Sequence, residues 1–264
     1  MLSYRHSFHA GNFADVLKHI VQVEILTYLT IKDKPFEYID THSGAGLYNF
    51  NAEDAQKLAE HLGGIGKLSS SDYPELSEYF RVVNAYDAQG NGTLYPGSPS
   101  IAKHFLRKQD RGWLFELHPQ DVERLRTNIG NDKRIRVSQS DGLQGLLGLV
   151  PPTSRRALIL IDPSYEIKTE YDQVFDTVVA AHKKFATGVY AIWYPVVKRD
   201  VIDRLIERFS QSGIKNIQCF ELGVSEDSAE RGMTSSGMIV INPPWTLFEK
   251  MQALLPKLAK TLGQ

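Results

Sequence analysis

The stretch FEYIDTHSGAGLYN, residues 36–49, sets five strand-forming residues directly before Ser43-Gly44-Ala45-Gly46. A glycine turn at a strand end lets the backbone bend tightly, and lets a ligand approach amides that a side chain would cover. The dinucleotide fingerprint needs a third glycine three positions on, but Asn49 stands there and no ribose-binding acid follows at the usual distance, which disfavours nicotinamide. Six more apolar runs read as strands: 113–117, 135–141, 157–162, 188–194, 217–222 and 237–242. Between them lie helical patterns at 121–128, 171–185 and 201–210, with a last one at 246–262. Strand and helix in alternation predict an α/β fold with a mostly parallel sheet of seven strands and helices on both faces.

The rhythm breaks once. Asp40 and Glu116 lie 76 positions apart, where a plain strand-helix-strand unit takes about 30 residues. An inserted helical subdomain is expected over 51–95; within it, residues 51–90 carry seven acids against three bases, a poor phosphate binder. From Ile101 to Arg136 the balance reverses to nine Lys and Arg against five acids, and Lys103, Arg107, Lys108 and Arg111 at helical spacing form the best basic patch.

With 264 residues, 42% hydrophobic, the chain reads as one domain with an insert. Thirty Lys and Arg against 31 Asp and Glu give a net charge of −1, so a nucleic acid must be met by a local patch. A single cysteine, Cys219, excludes an internal disulfide and fits the cytoplasm. No apolar run approaches the roughly 20 residues of a spanning helix, so no membrane partner is expected. Four of the eight histidines precede residue 43, but none has helical ligand spacing and no metal is expected. Without a heptad seam, a monomer is favoured.

Acids at strand ends give the chemistry. Glu116 closes the second strand, where a carboxylate accepts from two ribose hydroxyls, and Asp141-Gly142 closes the third, where a side chain meets an adenine amino group. Each alone is more often a loop cap. Together with Gly44 they describe an S-adenosylmethionine pocket. The fourth strand ends in Asp162-Pro163-Ser164-Tyr165, which resembles the Asp/Asn-Pro-Pro-aromatic motif of amino methyltransferases. An exocyclic amine is a weak nucleophile because its lone pair is delocalised into the ring. Acceptors at the Asp162 carboxylate and the Pro163 carbonyl take its two N–H bonds and draw it towards a reactive geometry. Tyr165 is expected to stack on the extruded base, and Ser164 departs from the usual second proline. A rival, Asn242-Pro243-Pro244-Trp245, follows the seventh strand and reads as a Pro-Pro stop before the last helix.

The segments LSYRHSFHAGNFADVLKH, DTHSGAG, YPGSP, ELHP, LILIDPSYE, YAIWYPV and RGMTSSGMIVINPPW together resemble the RlmJ family of 23S ribosomal RNA adenine-N6 methyltransferases, over almost the whole chain. The resemblance implies a Rossmann-like class I methyltransferase fold with an inserted helical subdomain, S-adenosylmethionine as cofactor, 23S ribosomal RNA as partner and no metal. It carries cofactor contacts to His19, His42, Ser98, Glu116, Asp141, Gly142 and Asp162, and a substrate contact to Tyr4. On their own, Lys18 and His19 read as residues ending an amphipathic N-terminal helix; the resemblance makes His19 a cofactor contact and Lys18 is placed with it. Ser98 before Pro99 reads as a helix N-cap. Tyr4, Arg5 and His6 combine an aromatic face, a cation and a titratable ring, so residues 1–20 are expected to close over the cofactor and meet the RNA. Two other readings stay open. One is an enzyme directed at adenine in DNA, and members of the family have been linked to the use of external DNA. The other is an inactive nucleic-acid-binding relative.

Overall fold

In the computed structural model, residues 6–87, 90–227 and 232–263 are described. The N-terminal helix α1 (Phe13–Ile31) begins where the Asn12 side chain accepts from the Ala14 and Asp15 amides. Apolar residues occupy every turn, and Val16, Leu17, Ile20, Val21, Val23, Ile25 and Leu26 have no exposed surface, so α1 is a core helix. Lys18 and His19 therefore do not end it. They lie in its second turn and are buried, because Lys18 meets Asp15 and Asp162, which compensate its charge. Of the expected closing segment 1–20, residues 13–20 belong to this packed helix. Tyr4 and Arg5 lie outside the described residues.

The main sheet runs β5 (Ile135–Ser138), β4 (Arg111–Phe115), β1 (Glu37–Asp40), β6 (Ala157–Ile161), β7 (Val189–Val196), β9 (Ser235–Ile241), β8 (Ile217–Gly223). All neighbours are parallel except those of β9, which runs against β7 and β8. The strand order reverses beside β1, which is where open α/β sheets place a ligand, beyond the carboxyl ends of the strands. β9 explains the rival motif. Ile241 pairs with Tyr190 at the start of β7, so Asn242 emerges at the opposite end of the sheet from Asp162. There its amide nitrogen donates to the carbonyls of Ala186 and Gly188, a structural role.

Helices α5 (Pro119–Ile129), α7 (Glu170–Lys184), α8 (Arg199–Gln211) and α9 (Leu247–Leu262) match the periodic patterns. Helix α4 (Ser98–Phe105) is short and α6 (Gly142–Leu149) has three glycines in eight residues, so neither shows a clear period. Between β1 and α4 the chain forms an antiparallel pair, β2 (Leu47–Asn49) and β3 (Leu94–Pro96), that encloses α2 (Glu53–Leu58) and α3 (Ser77–Tyr86). Three-residue strands are too short to announce themselves by alternation.

This acidic insertion is tied to the N-terminal segment. Glu60 takes bonds from His9 Nδ1 at 3.0 Å and Asn12 Nδ2 at 2.9 Å, and the Ile65 amide donates to the Gly11 carbonyl. The hydrogen bond to Glu60 raises the His9 pKa despite burial. Its outer acids do little of this kind: Glu75 pairs with Lys257 and Glu78 with Arg81 at the surface. Exposed pairs contribute about 0–1 kcal/mol, so a Glu75→Gln, Glu78→Gln variant is expected to keep wild-type turnover; a substantial loss in a methyl-transfer assay would give the insertion a direct part in the reaction.

The basic patch of 101–136 is not a helical stripe. Helix α4 stops at Phe105 and Arg111 opens β4. Three of the four cations named for it bind the protein itself: Lys103 donates to the Ile129 carbonyl, Arg107 to Asp110 and the carbonyls of Lys32 and Lys34, Arg111 to the carbonyls of Lys108 and Asp110.

Candidate active site

Below the glycine turn lies a buried polar network. Asp40 Oδ2 accepts from the Tyr38 hydroxyl at 2.6 Å and the Ser98 hydroxyl at 2.7 Å, and Oδ1 from the His42 amide at 3.2 Å. Burial pushes the Asp40 carboxyl up to about 6, against the pull of these donors. Ser98 is thus not the cap of α4. Gly97 holds that position, and the Ser98 hydroxyl turns inward to Asp40 because a buried carboxylate needs donors.

Gly44 has φ of 56°, and its amide donates to Glu116 Oε2 at 2.8 Å; the other Glu116 oxygen accepts from the His118 amide at 2.7 Å. Glu116 thereby fastens the β1 turn to the β4 turn and keeps lone pairs for a further donor. Around it a cavity of about 160 Å³ is lined by His19, His42, Gly44, Ser98, Glu116 and Asp162, among others. His19 bonds the Tyr95 hydroxyl through Nδ1 at 2.8 Å, and burial lowers its pKa to about 3. Its Nε2 is buried without a hydrogen-bond partner among the described residues, and burial likewise lowers His42 to about 4. Both rings are neutral at physiological pH. An orphaned ring nitrogen and a carboxylate with spare lone pairs fit a polar nucleoside ligand, and so fit S-adenosylmethionine.

Asp141 and Gly142 are not in that lining. Asp141 Oδ1 caps α6, accepting from the Leu143 and Gln144 amides. Gly142 sits against the backbone of Thr41, where a Cβ would lie 2.0 Å from the carbonyl oxygen, so only glycine fits.

Asp162 stands at the end of β6, beside β1. Its Oδ2 is 2.5 Å from Lys18 Nζ, which also lies 2.7 Å from Asp15 Oδ1. Asp15 in turn takes His6 Nε2 at 2.8 Å and the Gly11 amide at 2.9 Å. Burial opposes charge on Asp15, but His6, Lys18 and His19 overcome it and hold its carboxyl well below the usual range. Burial opposes charge on Lys18 too, and the two carboxylates raise its pKa. For Asp162 burial prevails over Lys18, and its pKa is raised. Sequence reading missed Asp15, although its i, i+3 and i, i+4 spacing to Lys18 and His19 on one helix was a usable signal.

A second cavity, of about 630 Å³, opens on the other side of Asp162. The two share His6, Lys18, Asp162 and Ser164 in their linings, so the residue in the place of the motif's second proline lies at the junction. Tyr165, with φ of 53°, lines the larger cavity, donates its hydroxyl to the Trp193 carbonyl at 2.8 Å and stacks on Tyr171 with ring centroids 4.1 Å apart. Trp193, another wall residue absent from the sequence reading, is held through Nε1 by the Ser236 hydroxyl at 2.8 Å. One of three aromatics on an all-apolar strand carries no signal of its own.

This strand order, with one reversed strand and a glycine turn at the switch point, is the class I S-adenosylmethionine-dependent methyltransferase fold. The family model described as "Ribosomal RNA large subunit methyltransferase D, RlmJ" matches residues 33–264, and the chain belongs to that family. It is 52% identical to ribosomal RNA large subunit methyltransferase J of Escherichia coli over 99% of this chain and 94% of that protein, and 49% identical to the Haemophilus influenzae protein of the same name over 99% and 94%. The crystal structure of protein LPL1258 from Legionella pneumophila superposes with a TM-score of 0.88 at 37% identity, covering 96% of this chain and 94% of that one.

Proposed function

We propose that this protein transfers the methyl group of S-adenosylmethionine to the N6 amino group of an adenine in 23S ribosomal RNA. The observation that carries the reading is Asp162, an ion-paired carboxylate standing where a polar recess and a larger cavity meet. Bound S-adenosylmethionine supplies an electrophilic methyl group. His19, His42, Gly44, Ser98 and Glu116 hold the cofactor, Glu116 through its ribose hydroxyls. Asp162 Oδ2 is engaged by Lys18, while Oδ1 has no partner among the described residues and is the oxygen that accepts one N–H of the target amine. The Pro163 carbonyl accepts the other. Lys18 favours the ionised form of Asp162 against burial, which favours the neutral acid, and a neutral acid would present a proton where the amine needs an acceptor. Tyr165, backed by Tyr171, forms the wall on which the extruded base rests. His6, anchored on Asp15, brings the N-terminal segment to the same window.

Methyl transfer from labelled S-adenosylmethionine to a 23S ribosomal RNA fragment tests the reading. N6-methyladenosine is the expected product, with single-stranded DNA a poorer substrate. A different methylated nucleoside, or preference for DNA, would overturn it. For the cofactor side, Glu116→Ala is expected to weaken S-adenosylmethionine binding by about 1.5–3 kcal/mol, roughly 10- to 150-fold in Kd by calorimetry, because a charged acceptor is lost. NADH should not bind. Unchanged affinity would remove Glu116 from the cofactor set.

A further inference from the structure

Of the cations expected to meet phosphate, Lys103, Arg107 and Arg111 are engaged elsewhere, which raises the question of which others could serve. The larger cavity extends well beyond Asp162 and Tyr165, and 630 Å³ is more room than a single purine base fills. Its far wall is apolar: Pro195 and Val197 from β7 and its turn, Val201 and Leu205 from α8, and Met233. At its mouth, the turns after the adjacent parallel strands β6 and β7 repeat one pattern, Ile167-Lys168 and Val197-Lys198. In each, an exposed aliphatic residue, Ile167 at 61% and Val197 at 45%, stands beside an exposed lysine. The other cations of this rim are compensated: Arg204 pairs with Asp200, and Arg208 with Asp172 and Asp176 while lying over Phe175. Neither Lys168 nor Lys198 has an acidic partner among the described residues. Two unneutralised cations flanking an apolar recess are complementary to a nucleotide, whose phosphate is anionic and whose base has apolar faces.

We propose that this recess holds the nucleotide next to the target adenine on the same RNA strand, its base against Val197, Val201 and Leu205 and its phosphate between Lys168 and Lys198. The inference rests on the proposed function and extends it to the recognition of sequence context. It also accounts for the placement of the cations: extruding one base requires that the nucleic-acid strand beside it be gripped, and the grip lies on the turns that follow β6 and β7, beside Asp162.

The test is steady-state methyl transfer to a 23S ribosomal RNA fragment by the wild type and by a Lys168→Glu, Lys198→Glu double variant, across a range of salt concentrations. At low salt the variant is expected to show a KM for RNA raised about tenfold or more and a salt slope shallower by about one per lysine, with kcat at saturation and S-adenosylmethionine affinity within a few-fold of wild type. Retained cofactor affinity also establishes that the variant is folded. In a second arm, wild-type enzyme is given fragments carrying an abasic site on one or the other side of the target, and one of the two is expected to raise KM. An active wild type with KM and salt slope unchanged in the double variant would overturn the inference alone. Abasic sites without effect on either side would overturn the base subsite. A wild type inactive on RNA would overturn the proposed function and this inference with it.

Discussion

Asp162→Ala is expected to lower turnover on RNA by about 100-fold or more, the usual loss when one preorganised group facing the developing charge is removed. The geometry separates this loss from a loss of fold. Lys18 keeps its other partner, Asp15 at 2.7 Å, so the substitution does not strand a buried ammonium. The variant should unfold cooperatively at a denaturant concentration near that of wild type. Asp162→Asn, which keeps an acceptor oxygen but not the charge, should fall between the two. Asn242, at the head of the more orthodox Asn-Pro-Pro-Trp sequence, cannot take over, because it lies at the opposite end of the sheet. Single-turnover rates within a few-fold of wild type for Asp162→Ala would remove the carboxylate from the reaction.

Lys18→Met should have the largest effect on stability. It deletes the cation shared by two buried carboxylates, and breaking a buried pair by removing one partner costs about 3–5 kcal/mol. The pH dependence follows from the direction of each shift. In wild type the Asp15 carboxyl is held below its ordinary value, so its contribution to stability is present above the usual carboxylate range and is lost as pH falls through the lower folded value. Without Lys18, Asp15 and Asp162 lose a neighbour that lowers both, and their folded pKa values rise. A carboxyl raised by folding is tolerated when protonated and destabilises as pH climbs. The deficit of the variant relative to wild type should therefore be largest at pH 8 and shrink towards pH 5, as measured by urea unfolding. A deficit that is flat over that interval, or below about 1 kcal/mol, would mean that the two acids do not depend on Lys18.

The alternation of apolar strands and amphipathic helices determined the fold class by itself, because strand and helix periods are local properties of the chain. So were the turn at Gly44, fixed by the conformations open to glycine, and the place of Asp162 at the end of a buried strand beside Pro163. Composition also exposed the insertion, through the 76 positions between Asp40 and Glu116. What pairs with what was not legible. Lys18 looked like the cation at a helix end, and only the tertiary structure sets Asp162 against it, 144 residues later in the chain. Ser98 had every local mark of an N-cap, yet a buried carboxylate outcompeted the helix for its hydroxyl. The basic run from Lys103 to Arg111 looked like a phosphate site, but the side chains of Lys103, Arg107 and Arg111 reach backbone carbonyls that sequence does not place. The direction of β9, which disqualifies Asn242, is decided by its partners β7 and β8. Local patterns specify elements because they act over one or two turns. Charge and hydrogen-bond compensation act between elements, and only the packed sheet brings those elements within reach.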